Sequence, residues 1–220
     1  MIAVFRALAD EPYESRGIIH SEIALILHTV RKLGIRRIIE SGRARAQSTY
    51  LLAKYLPDVL IDSVELRETP DAAYGVDRVS GFPNVTLYWG DGREVVPDLA
   101  ARDDSPTAIL CDGPKGAAAV EVVRQCFDYP HVRVGFIHDM RKLDHGGPSP
   151  HRQAAIDRLP KHKFSDDPAL VAEVSWMDAK VVEAGGPCGP QHEAEFGSYG
   201  PTLGVFLNNK QTAKIEGLPQ

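Results

Sequence analysis

The sequence predicts an α/β domain built on a mainly parallel sheet, and three observations carry that reading. Between residues 35 and 137, short apolar runs alternate with helix-period segments. Parallel strands need a crossover, and a helix is the usual one. Each apolar run ends at a polar or titratable residue. Glu40, Glu65, Asp91, Asp112 and His138 follow one another at intervals of 25, 26, 21 and 26 residues, each close to one strand-plus-helix repeat. The apolar run 203–207 comes late, after a long segment rich in Gly and Pro, and suits an antiparallel edge or hairpin strand.

The elements follow in order. Residues 1–17 contain Pro12 and Gly17 and read as an arm or short cap. Ile23, Ile26, Leu27, Val30 and Leu33 recur at helical spacing behind Ser21 as N-cap, and Gly34 stops the helix. Strands are predicted over 35–40, 59–65, 85–89, 108–111 and 132–137. Helices are predicted between them over 48–56, 70–79, 94–101 (with Pro97 in its first turn) and 115–127. Beyond Asp139 the pattern gives a turn-rich loop over 141–150, a helix over 154–159 and a strand within 171–182. A long loop over 185–201 then leads to the final strand. The expected division is an N-terminal arm and cap helix (1–34), the α/β domain (35–207) and a polar tail (208–220).

Composition narrows the function classes. The 220 residues are 43 % hydrophobic and 25 % charged, enough to build a core without staples. Cys111, Cys126 and Cys188 are an odd, irregularly spaced set that fits neither a disulfide framework nor a cysteine zinc site. No apolar run approaches the roughly 18 residues of a membrane span, and the N-terminus lacks a secretory h-region. Lys and Arg number 25 against 30 Asp and Glu, a net charge of −5 that argues against nucleic acid as main partner. The expectation is a cytoplasmic protein with no membrane and no nucleic-acid partner; a homo-oligomer stays open.

The carboxyl ends of parallel strands share one edge, where open α/β sheets bind ligands. The first strand runs into Glu40-Ser41-Gly42-Arg43-Ala44-Arg45-Ala46-Gln47-Ser48, a tight turn leading to a helix start. A pyrophosphate-binding turn wants three glycines; here Ala44 and Ala46 replace two of them. A ligand with a ribose but no pyrophosphate suits such a turn better. Glu65 is placed to accept from ribose hydroxyls, and Asp91 in Gly90-Asp91-Gly92 to meet an adenine amino group.

This series resembles the class I S-adenosylmethionine-dependent methyltransferases, over roughly residues 20–160. The resemblance implies a Rossmann-like three-layer sandwich whose seven-stranded sheet ends in a reversed strand. It implies S-adenosylmethionine at Glu40, Gly42, Ser48, Glu65, Leu66, Gly90, Asp91, Gly92 and Asp112. Asp112 would lie at the cleft between cofactor and acceptor. Within the superfamily the pairing of Asp112-Gly113-Pro114-Lys115 with His138-Asp139 looks most like small-molecule O-methyltransferases. Those hold a divalent cation at these two strand ends, which implies Mg or Mn at Asp112, His138 and Asp139. Without a metal, His138 is the first candidate general base and His145 the second. Lys115, His138 and Asp139 are the catalytic candidates, and a small-molecule methyl acceptor, methylated at oxygen, is the expected partner. The rivals are a nicotinamide-dependent oxidoreductase and a non-catalytic nucleoside-binding or interaction domain.

Overall fold

The computed structural model describes residues 2–144, 147–159 and 161–209. Five parallel strands come first: β1 (Arg37–Ser41), β2 (Leu60–Glu65), β3 (Val85–Trp89), β4 (Thr107–Cys111) and β5 (Val132–Ile137). A two-residue hairpin follows, β6 (Leu143–Asp144) against β7 (Gly147–Pro148). Then come β8 (His162–Phe164) and β9 (Gly204–Leu207). The main sheet has seven strands in the order β3-β2-β1-β4-β5-β9-β8. Strand β9 runs antiparallel to β5, so the final strand is reversed. It is interior, however, because β8 covers its far side. The sequence reading made it an edge or hairpin strand; three residues are too short a run for periodicity to reveal β8.

Side chains alternate across the sheet as period 2 requires. Ile38, Ile61, Ala108 and Leu110 face a core shared with α1 (Ile2–Ala9), α2 (His20–Lys32) and α3 (Gln47–Tyr55). Helix α4 (Pro70–Val79) packs beside α3. Ile39, Val64, Ile109 and Cys111 face the opposite core, formed with α5 (Gly92–Ala100), α6 (Ala117–Cys126) and α7 (Pro150–Arg158). No described helix is long and apolar enough to cross a membrane.

Four expectations are corrected. Residues 2–9 form a helix, with Leu8 and Ala9 inside the core. Helix α5 begins at Gly92, so Pro97 lies in its interior rather than its first turn. The segment 171–182 is no strand: α8 (Pro168–Val174), a 3-10 turn (Ser175–Asp178) and α9 (Ala179–Glu183) occupy it. Its Val and Met positions also match a helical period, and Met177 and Val181 are buried. The loop 185–201 contains α10 (Pro190–Phe196), which begins behind a proline and ends at Gly197. The tail beyond 209 lies outside the described residues.

The start of α2 is also corrected. Its N-cap is Ile19, without a side-chain hydrogen bond, and Ser21 is already helical. The capping acceptor comes from far along the chain: Asp178 Oδ1 accepts from the Ser21 N–H at 2.9 Å. Burial pushes the Asp178 carboxyl up from 3.8 to about 6, against the Ser21 hydrogen bond and with help from Glu22. The folded state therefore binds this proton more tightly than the unfolded chain. The group's contribution to stability is full below pH 4 and is lost as pH rises through 6. Asp178→Asn should match wild type in thermal unfolding at pH 4 and exceed it at pH 7.5. Equal melting temperatures at both pH values would show that the carboxylate is not held against its charge.

Candidate active site

Sheet register builds the site. Ser41 pairs with Cys111, and Cys111 with Ile137, so one residue further Gly42, Asp112 and His138 stand side by side at the carboxyl edge. Backbone bonds extend the row: Asp112 N–H donates to Ser41 at 2.8 Å, and His138 N–H to Cys111 at 3.0 Å. A Cβ on Gly42 would collide with the Gly113 amide, and one on Gly92 with the Ser41 hydroxyl. Both glycines are thus required by protein packing, whatever binds beside them.

Glu40 is fully buried at the end of β1. Its carboxylate accepts from Ser48, from Thr49 and, at 2.7 Å, from Ser63. Burial raises its pKa against those three hydrogen bonds and the charge of Arg43. The turn that follows keeps a left-handed backbone at alternate residues: φ is +95° at Gly42, 42° at Ala44 and 58° at Ala46. The two arginines brace it. Arg43 is buried, donates to the Ser63 carbonyl at 2.7 Å and lies 4.8 Å from the Trp89 ring centroid. Arg45 bonds Glu14 at 2.7 Å and Asp71 at 2.9 Å, tying the N-terminal arm and α4 to the turn. Glu65 closes the turn from β2, accepting from the Ala44 N–H at 2.7 Å and the Leu66 N–H at 2.9 Å. Leu66 is an exposed apolar side chain beside it. Asp91 is the N-cap of α5 and pairs with Arg93, which holds its carboxyl down at about 2.

At the next strand ends, carboxylates and cations alternate. Asp112 Oδ1 lies 2.7 Å from His138 Nδ1 and also accepts from Lys115. Lys115 Nζ reaches Asp139 Oδ2 at 2.6 Å. On its far side His138 Nε2 faces Glu22 Oε2 at 3.2 Å. Burial opposes the His138 charge, but Asp112 and Glu22 together hold its pKa well above the usual value. Burial likewise opposes both Asp112 and Lys115 charges; the partners keep Asp112 low and Lys115 high. Asp139 takes a left-handed backbone, φ 61°, and leaves its carboxylate half-exposed. Strain of that kind concentrates at functional sites.

Asp112, His138 and Asp139 each bring a ligand atom within 4.8 Å of the others. Glu22 faces Nε2 of His138, and a carboxylate there holds that nitrogen as the N–H and leaves Nδ1 toward Asp112 and Asp139. The ammonium of Lys115 already sits between Asp112 and Asp139.

Two adjoining cavities open here. One of about 60 Å³ is lined by Gly42, Arg43, Ala44, Gln47, Ser48 and Asp112 under the arm residues Glu14–Ile18. The other, about 270 Å³, is lined by Lys115, His138, Asp139, Arg141, Pro187, His192 and Pro201. Arg16 and Gly17 belong to both walls. Glu40, Glu65, Gly90, Asp91 and Gly92 line neither cavity. His145 lies outside the described residues. Sequence reasoning missed Glu22, Arg16 and Arg141. Glu22 had a signal: it lies four residues before Ile26, on the apolar stripe of α2.

No protein-family model matches the chain, and no curated protein matches it by sequence. Solved structures do. A Bacillus cereus O-methyltransferase in complex with S-adenosylhomocysteine aligns over 94 % of this chain and 89 % of its own, at TM-score 0.59 and 13 % identity. The O-methyltransferase TomG of Streptomyces achromogenes, in complex with S-adenosylmethionine, aligns over 94 % and 90 %, at 0.54 and 17 %. A Klebsiella pneumoniae protein provisionally described as an O-methyltransferase aligns over 93 % and 90 %, at 0.60 and 14 %. The chain has the class I S-adenosylmethionine-dependent methyltransferase fold.

Replacing Ala44, exposed and at φ 42°, by Gly should stabilise the protein by about 0.5–1 kcal/mol. Denaturant unfolding measures it. Unchanged or lower stability would mean that the turn carries no left-handed cost.

Proposed function

We propose that this protein transfers a methyl group from S-adenosylmethionine to a small-molecule acceptor, at oxygen. The observation that carries the reading is the pair of adjoining cavities that share Arg16 and Gly17. One lies on the turn after β1; the other is walled by Lys115, His138 and Asp139. The residues fit the cofactor. Helix α3 starts at Ala46 with no side-chain cap, leaving N–H groups beside Gln47 and Ser48 for an anionic carboxylate. Glu65 is oriented by two backbone donors and keeps lone pairs for ribose hydroxyls. Leu66 offers an apolar face for the base, next to the Gly90–Gly92 segment. Glu40 acts from beneath by fixing Ser48 and Thr49.

Bound there, the cofactor supplies an electrophilic methyl on a sulfonium. The chain's part is to align the acceptor oxygen and remove its proton. Asp139 presents a half-exposed carboxylate to the larger cavity and receives that proton. Lys115 stabilises the oxygen as it becomes anionic. His138 acts on Asp112 rather than on the acceptor, and no metal takes part. Three free cysteines suit the reducing cytoplasm.

Calorimetry with S-adenosylhomocysteine tests the reading. It should bind, and Glu65→Ala should weaken binding by about 1.5–3 kcal/mol. Binding of NAD in its place would select the oxidoreductase rival, and binding of neither would remove the enzymatic reading. With an acceptor in hand, Lys115→Met should lower kcat by about 100-fold or more with little change in cofactor affinity. EDTA should leave the wild-type rate unchanged; a rate abolished by EDTA and restored by Mg²⁺ would overturn the metal-free step.

A further inference from the structure

Two arginines in the wall of the larger cavity have no part in the reaction outlined above. Its permanently charged cations are Arg16, Lys115 and Arg141. Lys115 is committed to Asp112 and Asp139. Arg141 gives Nε and Nη2 to a single oxygen of Asp144, at 3.0 and 2.7 Å, and its guanidinium lies 4.0 Å from the Phe196 ring centroid. The Nη1 side of that guanidinium is left for a ligand. Arg16 is less engaged still. Its one ion pair among the described residues is with Asp71 at 4.0 Å, and Asp71 already accepts from Arg45 at 2.9 Å.

An exposed arginine on a loop is ordinarily just solvated. This one stands on a segment that is held firmly. Its backbone is left-handed, φ 68°, a region that long side chains seldom adopt. The surrounding contacts enforce it. The Tyr13 hydroxyl donates to the Gly17 carbonyl at 2.9 Å, and the Gly17 N–H to the Glu14 carbonyl at 3.0 Å. Gly17 lies so close to Gln47 that a Cβ there would stand 2.4 Å from Gln47 Cγ. Glu14 is anchored in turn by Arg45 and, at 3.6 Å, by Arg78. The arm thus keeps Arg16 in the wall of both cavities against its backbone preference.

We propose that Arg16 and Arg141 bind a carboxylate on the methyl acceptor, so that the substrate is a small hydroxy acid. This rests on the reading of the larger cavity as the acceptor site. A guanidinium edge matches the planar carboxylate, and the single uncompensated charge of Arg16 calls for one negative charge rather than two. Asp139, an anion in the same wall, disfavours the reverse orientation and leaves the hydroxyl end to Lys115 and itself. Pro187 and Pro201 add apolar wall for the body of the acid. His192 completes that wall, donating Nδ1–H to the Ser198 carbonyl at 2.8 Å and packing on Phe196. At about 270 Å³ the cavity falls just below the ~300 Å³ at which small-molecule sites begin, room for one ring or a short chain. Arg141 lines only the larger cavity, which separates this carboxylate from the cofactor's own.

A bare acid tests the site without the acceptor being known. Benzoate, titrated into the full chain with and without S-adenosylhomocysteine and followed by NMR, should bind. Benzamide, of the same shape but uncharged, should bind at least about tenfold more weakly. The Arg16 side chain is 85 % exposed, so Arg16→Gln should fold. It should weaken benzoate by about tenfold or more and leave benzamide unchanged. Arg141→Gln should do the same, but it also loses the contacts to Asp144 and Phe196, so Arg16→Gln decides. Equal affinity for benzoate and benzamide, or no benzoate binding at millimolar concentration, would overturn the proposal. So would phenyl phosphate binding more tightly than benzoate. Arg16→Gln that weakens S-adenosylhomocysteine and not benzoate would assign Arg16 to the cofactor and overturn it too. If benzoate binds as expected while S-adenosylhomocysteine does not, the methyltransfer reading falls and the acid site stands. The converse removes the acid site and keeps the methyltransfer reading.

Discussion

One buried carboxylate organises the ligand edge of this protein. Glu40 ends β1 in complete isolation from solvent and is kept there by hydroxyls from the first turn of α3 and from the middle of β2. A carboxylate without those donors would be too costly to bury, and the donors without the carboxylate would be left unsatisfied. Each side therefore fixes the other. The start of α3 is drawn onto the strand pair, and the five residues between strand and helix must turn sharply to allow it. Gly42 meets Gly113 across the β1–β4 boundary as a result, and the cavity beside Ser48 exists because the turn cannot relax outward.

The same logic recurs two strands away with the signs mixed. Asp112 and Asp139 share the ammonium of Lys115, while His138 stands between Asp112 and Glu22. None of these groups is placed by its own loop alone. Strand register sets Asp112 and His138 abreast, the turn after β4 returns Lys115, and α2 delivers Glu22 from the opposite layer. A loop-borne site would hold such charges loosely. Here three are fixed by sheet or helix, which keeps the distances short and the protonation states defined.

Much of this was legible in the residues. Hydrophobic periodicity and the repeat of polar strand ends located β1 to β5 and their helices, because a buried parallel strand leaves a short apolar run with an abrupt polar end. The adjacency of Asp112 and His138 followed from strand order. The remainder was hidden for definite reasons. The Asp178 cap of α2 joins residues 157 positions apart, and no local pattern records such a bond. Residues 171–182 carry apolar side chains that satisfy either period, and the choice was made by packing against α1 and α2. No local pattern names partners for the arginines of the turn. Their roles became visible with Ser63, Trp89, Glu14 and Asp71 around them. Glu22 stood on an apolar stripe, a discord that pointed inward without naming its partner.

The turn after β1 separates two things that sequence patterns treat as one, the letter glycine and the dihedral sign that glycine permits. Its backbone is left-handed at three alternate positions, and two of the three are alanine. The hydrogen bond that the Ala44 N–H donates to Glu65 and the burial of Arg43 hold there what glycine would only have allowed. Different letters can then draw the same curve. A chain that shares 14 % of its residues with a solved structure can keep the same fold.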